Sequence, residues 1–111
     1  MKLVGRVPRA ELDGGHLVRI DYPPYDVVVA LVDGEPCAIE DACNHAGASL
    51  AEGERAREDS CVVCPMHAYV FDLRSGKLVM PLGLCDDQRR FHAVFEGDAV
   101  VVYDPFVLRI L

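Results

Sequence analysis

The sequence predicts an all-β fold made of antiparallel strands. Its apolar residues fall in short runs separated by turn-forming residues, and helical periodicity is almost absent. Neighbouring runs are joined by short turns, as in β-hairpins. At 111 residues the chain has the length of one domain, which buries roughly 60–70% of its unfolded surface on folding.

The predicted strands are joined mainly as hairpins. Asp33-Gly34 separates two of them, and this pair is favoured where both turn residues need positive φ. Arg74-Ser75-Gly76 and Gly97-Asp98 are the turns of two further hairpins, and we expect the last hairpin to pair with the amino-terminal strands. The strands are predicted at residues 3–7, 16–20, 27–32, 37–39, 60–63, 69–72, 77–80, 88–96 and 99–103.

Four segments are not predicted to be strands. Residues 12–15 form a turn, and residues 22–25, Tyr-Pro-Pro-Tyr, form a stiff loop because two prolines remove donors from a strand ladder. Residues 46–59 are polar and irregular, with a short turn at 48–51. Residues 106–111 are strongly apolar for a terminal segment, so we expect them to pack against the domain rather than to cover a subunit contact.

Two short motifs each combine one cysteine with one histidine. They are Cys43-Asn44-His45 and Cys64-Pro65-Met66-His67, separated by eighteen residues. Thiolate and imidazole ligands suit zinc, copper or iron–sulfur centres. A zinc finger usually takes two cysteines from one loop and two histidines from another, whereas here each loop supplies one of each. This arrangement suits a two-iron centre in which one iron takes both thiolates and the other takes both imidazoles.

With these motifs the sequence resembles the Rieske [2Fe–2S] family, and within it the small soluble ferredoxins that feed electrons to aromatic-ring dioxygenases. Residues 41–50 are similar to the family's first cluster loop, and residues 63–67 with the segment 71–76 are similar to its second. Residues 97–102 match the family's closing strand. The resemblance extends over about residues 3–103, nearly the whole chain.

The resemblance implies one Rieske-type [2Fe–2S] cluster. Cys43 and Cys64 would hold the inner iron, and His45 and His67 would hold the outer iron near the surface. The implied architecture is an antiparallel β-sandwich or barrel with an inserted cluster-binding subdomain. The basal part would comprise about residues 1–36 and 82–111, and the subdomain about residues 37–81.

Three positions depart from patterns within the family. Ala48 and Met66 stand where the respiratory-complex branch has additional cysteines, so no disulfide can join the two loops. The resemblance therefore points to the lower part of the roughly −150 to +300 mV range of Rieske potentials. Ala68 stands where the family usually has glycine after the second histidine, and a positive φ at this position would strain the alanine.

The other cysteines leave a second interpretation open. The resemblance also implies that residues 78–81 lead into a proline-bearing loop that covers the cluster. Of five cysteines, Cys37 is expected to be a small core residue and Cys85 a buried or idle thiol near this covering loop. Cys61 and Cys64 form a Cys-x-x-Cys pair, which is also a zinc signal. A zinc-stabilised interaction module is therefore an alternative, although a β-branched strand keeps such side chains from converging.

The net charge of −7 argues against a nucleic-acid partner and favours a basic protein partner. The resemblance implies an electron carrier with no catalysis of its own, working between a flavin- or iron–sulfur-containing reductase and a terminal oxygenase. A small subunit of a nitrite-reductase-type complex is the other alternative. Acidic residues are expected to steer a basic partner toward the cluster, the equal alternative being a solvated surface that only keeps the protein soluble. They are Asp41, Glu52, Glu54, Glu58, Asp59, Asp86 and Asp87.

The sequence contains no apolar run of about eighteen residues, the length that a membrane span requires. Residues 1–6 lack the apolar core of a signal peptide. We therefore predict a cytoplasmic protein with no membrane partner.

Overall fold

A computed structural model describes residues 1–44 and 47–105 and contains two antiparallel sheets. This architecture confirms the predicted all-β fold. The strands are β1 Lys2–Pro8, β2 Val18–Ile20, β3 Val27–Val32, β4 Glu35–Glu40, β5 Glu54–Ala56, β6 Cys61–Val63, β7 Val70–Asp72, β8 Leu78–Met80, β9 Arg90–Glu96 and β10 Ala99–Asp104. A one-turn helix, α1 Arg9–Leu12, follows β1, and a 3₁₀ turn covers Leu50–Glu52.

The larger sheet has six strands in the order β1-β10-β9-β4-β3-β2 and curls into a nearly closed barrel. Its two outer strands approach each other where Gly5 of β1 meets Ile20 of β2. A Cβ added at Gly5 would lie 3.0 Å from Cγ2 of Ile20, so a side chain there would crowd the seam. The amino-terminal strand pairs with β10, as the sequence predicted.

Strand β3 is buried on both faces, which explains why its sequence is continuously apolar rather than alternating. Val27 and Val29 face a barrel cluster, whereas Val28, Ala30 and Val32 face a loop cluster. The barrel cluster comprises Val7, Leu12, Val27, Val29, Ala38, Phe91, Val100 and Val102. The loop cluster comprises Val28, Ala30, Val32, Cys37, Ile39, Cys43, Leu50, Val62, Cys64, Phe71, Leu73 and Leu78.

The predicted hairpins are present. Asp33 and Gly34 join β3 to β4 with φ values of 52° and 78°, which is the left-handed pair that the Asp-Gly sequence favours. The other two hairpins pair β7 with β8 and β9 with β10. Cys37 is a buried residue of β4, as expected.

Two elements differ from the prediction. Residues 9–12 form a helical turn because Leu12 is fully buried in the barrel cluster and anchors it. β5 lies in the segment predicted to be irregular. Its Arg55 guanidinium donates to the carbonyl oxygens of Leu31 (2.7 Å) and Gly15 (3.1 Å), so contacts with the barrel hold this polar strand against β6.

The smaller sheet, in the order β5-β6-β7-β8, lies within residues 54–80 and packs on the barrel through the loop cluster. The subdomain boundary predicted at about residue 37 falls inside β4, which is a strand of the larger sheet. The packing predicted for residues 106–111 concerns a segment outside the described residues. Across the described part of the chain, no helix is long and apolar enough to cross a membrane.

Candidate metal centre

The first loop, residues 41–49, links β4 to the 3₁₀ turn. Backbone hydrogen bonds fold it tightly around Cys43. The N–H of Cys43 donates to the carbonyl oxygen of Ala48 at 2.9 Å, and the N–H of Gly47 donates to the carbonyl oxygen of Cys43 at 2.7 Å. The cysteine is therefore held by both its amide and its carbonyl group.

The second loop, residues 64–69, links β6 to β7 and repeats this pattern around Cys64. The N–H of Cys64 donates to the carbonyl oxygen of Tyr69 at 2.8 Å, and the N–H of Ala68 donates to the carbonyl oxygen of Cys64 at 3.0 Å. In both loops the cysteine donates five residues ahead and accepts from four residues ahead. Two unrelated segments thus present a cysteine in the same backbone setting.

The fourth residue after each cysteine has a left-handed backbone. Its φ is 72° at Gly47 and 58° at Ala68. Glycine adopts this region freely, whereas alanine pays roughly 1–2 kcal/mol for it. The structure therefore confirms the positive φ on which the expected strain at Ala68 depends.

Of the predicted ligands that the structure describes, the two cysteines are buried and the histidine, His67, is exposed. Cys43 is 2% exposed and Cys64 is 1% exposed, and both belong to the loop cluster. His67 is exposed. His45, the remaining predicted ligand, lies outside the described residues. A mixed-ligand centre has thiolates on one iron and imidazoles on the other. The two buried thiols and the surface imidazole provide these two kinds of ligand in different surroundings.

This donor set suits a two-iron centre better than a single ion. A Rieske cluster divides its ligands into a cysteine pair on one iron and a histidine pair on the other. The buried pair Cys43 and Cys64, with His67 at the surface, fits that division.

Asp41 braces the start of the first loop and is only 2% exposed. Its carboxylate accepts hydrogen bonds from Oγ of Ser49 at 2.6 Å and from the N–H of Ala51 at 2.8 Å. Its carbonyl oxygen accepts the N–H of Leu50 at 2.8 Å. The prediction that Asp41 belongs to an acidic docking surface is therefore wrong, because its carboxylate turns inward to close the loop.

Gln88 braces the same loop from the covering loop, residues 81–89, which links β8 to β9. The residue is 3% exposed. Its Oε1 accepts the N–H of Asn44 at 2.9 Å, and its Nε2 donates to the carbonyl oxygen of Ala42 at 2.7 Å. No local pattern distinguishes Gln88, since a glutamine within a polar run is typical of an exposed loop.

The two cysteines near the site have different surroundings from the predicted ligands. Cys61 is a buried residue of β6 that pairs with Ala56 on one side and Asp72 on the other, so it is a sheet residue as expected. Cys85 is half-buried against the loop cluster, and burial is the main cause that raises the pKa of its thiol.

The surface beside the second loop combines apolar and acidic side chains. A cavity of about 480 Å³ is lined by His67, Met66, Glu52 and Glu54, among other residues. The docking face is our name for this surface together with the exposed part of the covering loop. It comprises Glu52, Glu54, Met66, His67, Leu82, Leu84, Asp86 and Asp87.

Comparison with known proteins decides the family. The sequence model described as "Rieske [2Fe-2S] domain" matches residues 4–82, more than half of the chain. The chain belongs to the Rieske [2Fe–2S] domain family. A 3-phenylpropionate/cinnamic acid dioxygenase ferredoxin subunit of Shigella boydii is 42% identical over 107 residues, covering 95% of this chain and 96% of that protein. A protein of the same description from Escherichia coli is 42% identical over 79 residues, covering 69% of this chain and 71% of that protein.

The Rieske fold is matched by solved structures as well. The ferredoxin of carbazole 1,9a-dioxygenase from Nocardioides aromaticivorans has a TM-score of 0.80 at 26% identity, covering 92% of this chain and 97% of that one. The predicted resemblance, fold class and cofactor are therefore confirmed. The chain is a Rieske-type ferredoxin, an electron-transfer protein that carries one [2Fe–2S] cluster.

Proposed function

We propose that this ferredoxin passes single electrons from a flavin- or iron–sulfur-containing reductase to the terminal oxygenase of an aromatic-ring dioxygenase system. The observation that carries the proposal is the pair of loops with one hydrogen-bond pattern, each centred on a buried cysteine. Relatives named as dioxygenase ferredoxin subunits, at 42% identity, support this assignment over a nitrite-reductase-type subunit or a zinc module. We also propose a cytoplasmic location.

Within this proposal, Cys43 and Cys64 hold the inner iron, and His45 and His67 hold the outer iron. When bound, the cluster supplies a one-electron couple whose potential is raised by the neutral imidazoles. The buried position of both thiols keeps water away from the sulfur side, whereas the exposed His67 leaves a short path to the surface. We propose that residues of about 37–81 act as the cluster-binding part of the single domain.

The chain's own backbone prepares both loops for this role. Cys43 and Cys64 are each held through their N–H and carbonyl groups, so the chain's own hydrogen bonds hold the backbone of both loops. A rigid site limits structural change when the electron arrives, which favours fast transfer. Asp41 and Gln88 extend this rigidity to the loop's flanks.

We further propose that partners bind at the docking face. Three large apolar side chains are exposed there: Met66 (64%), Leu82 (79%) and Leu84 (63%). Exposed apolar patches rimmed by charge are typical of protein–protein contacts. The acidic rim consists of Glu52, Glu54, Asp86 and Asp87. A partner with a hydrophobic patch surrounded by lysine or arginine would be complementary to both parts.

Electron paramagnetic resonance of the dithionite-reduced protein tests the ligand assignment. Mixed histidine and cysteine ligation predicts a signal with a lower average g value than an all-cysteine [2Fe–2S] cluster. Iron and acid-labile sulfide should be present in equal amounts, with two of each per chain. A protein that binds zinc and no iron would contradict the proposal. Co-elution with a large catalytic chain during gel filtration of native extract would favour the nitrite-reductase-type alternative.

A further inference from the structure

We propose that Gln88 is a positioning residue that holds the first loop in the geometry on which the cluster's electronic properties depend. This proposal rests on the electron-carrier function proposed above. Gln88 contacts Asn44, the residue between the two predicted ligands Cys43 and His45. A side chain from the covering loop therefore fixes the backbone that joins one ligand of each iron.

The acceptor atom of Gln88 holds Asn44 by two contacts. Oε1 of Gln88 accepts the backbone N–H of Asn44 at 2.9 Å and the side-chain Nδ2 of Asn44 at 2.7 Å. Nδ2 of Asn44 also donates to the carbonyl oxygen of Asp87 at 2.8 Å. Although Asn44 is exposed, its amide and its side chain are thus both tied to the covering loop.

The donor atom of Gln88 holds the segment that enters the loop. Nε2 donates to the carbonyl oxygens of Glu40 at 3.0 Å and of Ala42 at 2.7 Å. One buried amide group therefore spans the end of β4, Ala42 before the first cysteine and Asn44 after it. A primary amide offers one acceptor oxygen and two N–H donors in one plane. Only glutamine and asparagine carry this group, and the asparagine side chain is one methylene shorter.

The backbone of Gln88 is itself packed closely against Gly76. Its N–H donates to the carbonyl oxygen of Gly76 at 2.7 Å. A Cβ added at Gly76 would lie 2.3 Å from the carbonyl oxygen of Gln88, so these two segments approach more closely than any residue other than glycine would allow at position 76. Gly76 belongs to the hairpin that follows the second loop. Gln88 therefore contacts the first loop through its side chain and, through its backbone, the hairpin that follows the second loop.

The first experiment compares the holoprotein with its Gln88→Leu variant. Leucine has a side-chain volume similar to that of glutamine but forms no side-chain hydrogen bond. Hydrogen exchange of the peptide 41–50, measured by mass spectrometry, should be about tenfold faster in the variant because the loop opens locally. Exchange of the peptide 99–104 in β10 should not change. The g values and the reduction potential should both shift, because the backbone between Cys43 and the next predicted ligand is no longer held in one position.

Tyr22→Phe is the matched control. It removes one partly buried hydrogen bond, from the Tyr22 hydroxyl to Oδ2 of Asp104 at 2.8 Å in the barrel. A purely structural role for Gln88 would change stability alone, as this control does. The g values and potential of Tyr22→Phe should equal those of the wild type.

Asn44→Ala keeps the test decisive if Gln88→Leu does not fold. It removes the side-chain donors to Gln88 and Asp87 at an exposed position but keeps the backbone N–H. Its exchange and spectroscopic changes should have the same direction as those of Gln88→Leu and be smaller. Wild-type g values and potential in these variants would overturn the proposal. Absence of a Rieske signal in the wild type would instead refute the proposed function, while the exchange data would still report on the loop.

Discussion

At the scale of single residues, the left-handed backbone of Ala68 is a removable source of strain. We expect Ala68→Gly to stabilise the holoprotein by about 0.5–1 kcal/mol, because relief of roughly 1–2 kcal/mol of strain exceeds the entropy that glycine adds to the unfolded chain. The thermal midpoint, followed by loss of the cluster's visible absorbance, should rise by about 2–5 °C.

Gly47 provides the converse experiment, because it occupies the equivalent position of the first loop. A Cβ added there would meet no atom of residues 1–44 or 47–105 within 4 Å, so Gly47→Ala changes the backbone preference without a clash with this part of the chain. We expect it to lower the thermal midpoint by a similar amount. Equal midpoints for all three proteins would show that the two loops tolerate alanine and glycine alike.

Among the predicted ligands that the structure describes, His67 can be replaced with least damage to the fold, since its side chain is exposed whereas Cys43 and Cys64 are buried. We expect His67→Ala to abolish the Rieske electron paramagnetic resonance signal while the far-ultraviolet circular dichroism remains that of the wild type. His92→Ala is the matched control, because His92 is an exposed imidazole on β9 of the barrel. An unchanged signal in His67→Ala would remove His67 from the ligand set.

The sequence was sufficient to predict residues whose side chains bind metals. It did not identify residues whose role depends on where the fold places them. Cys43 and Cys64 stand out because few residue types bind metals, and their spacing from histidine is informative. Gln88 acts on Asn44 from 44 positions away, and its role depends on burial that only the folded chain creates. The inward turn of Asp41 was missed for the same reason, since an aspartate beside a loop is usually exposed.

At the scale of secondary structure, β3 lies between the two hydrophobic clusters. Successive residues of this strand contact different clusters, so substitutions at neighbouring positions test each cluster separately. Val28→Ala and Val29→Ala should each destabilise the protein by about 2 kcal/mol, since each removes two buried methyl groups and leaves a cavity. Only Val28 lies in the cluster that contains Cys43 and Cys64. We therefore expect faster iron release to a chelator from Val28→Ala than from Val29→Ala at equal loss of stability. Equal release rates would show that packing beneath the loops does not protect the site.

The missed elements have a common physical reason. Helix α1 has four residues and β5 has three, which is too short for periodicity to distinguish them from loops. Each is held by tertiary contacts, through buried Leu12 in one case and through Arg55 in the other. The longer hairpins were predictable because turn residues and apolar runs agree locally, as at Asp33-Gly34.

At the scale of the whole molecule, the net charge of −7 should accelerate binding to a basic partner. The rate of electron transfer to the terminal oxygenase, measured by stopped flow at low salt, should fall several-fold in the double variant Glu52→Gln/Glu54→Gln. The double variant Glu11→Gln/Asp98→Asn removes the same charge from exposed positions on α1 and the last hairpin turn and should have a smaller effect. Equal effects would mean that only the total charge matters.

The apolar part of the docking face should govern the lifetime of the complex rather than its rate of formation. Leu82 is 79% exposed in the covering loop, so Leu82→Ser removes contact area without disturbing the core. We expect the dissociation constant for the oxygenase to rise about tenfold, mainly through faster dissociation, with the salt dependence of association unchanged. Leu3→Ser is the control, because Leu3 is 55% exposed on β1 of the barrel. If both variants bind as the wild type does, the partner does not use the covering loop.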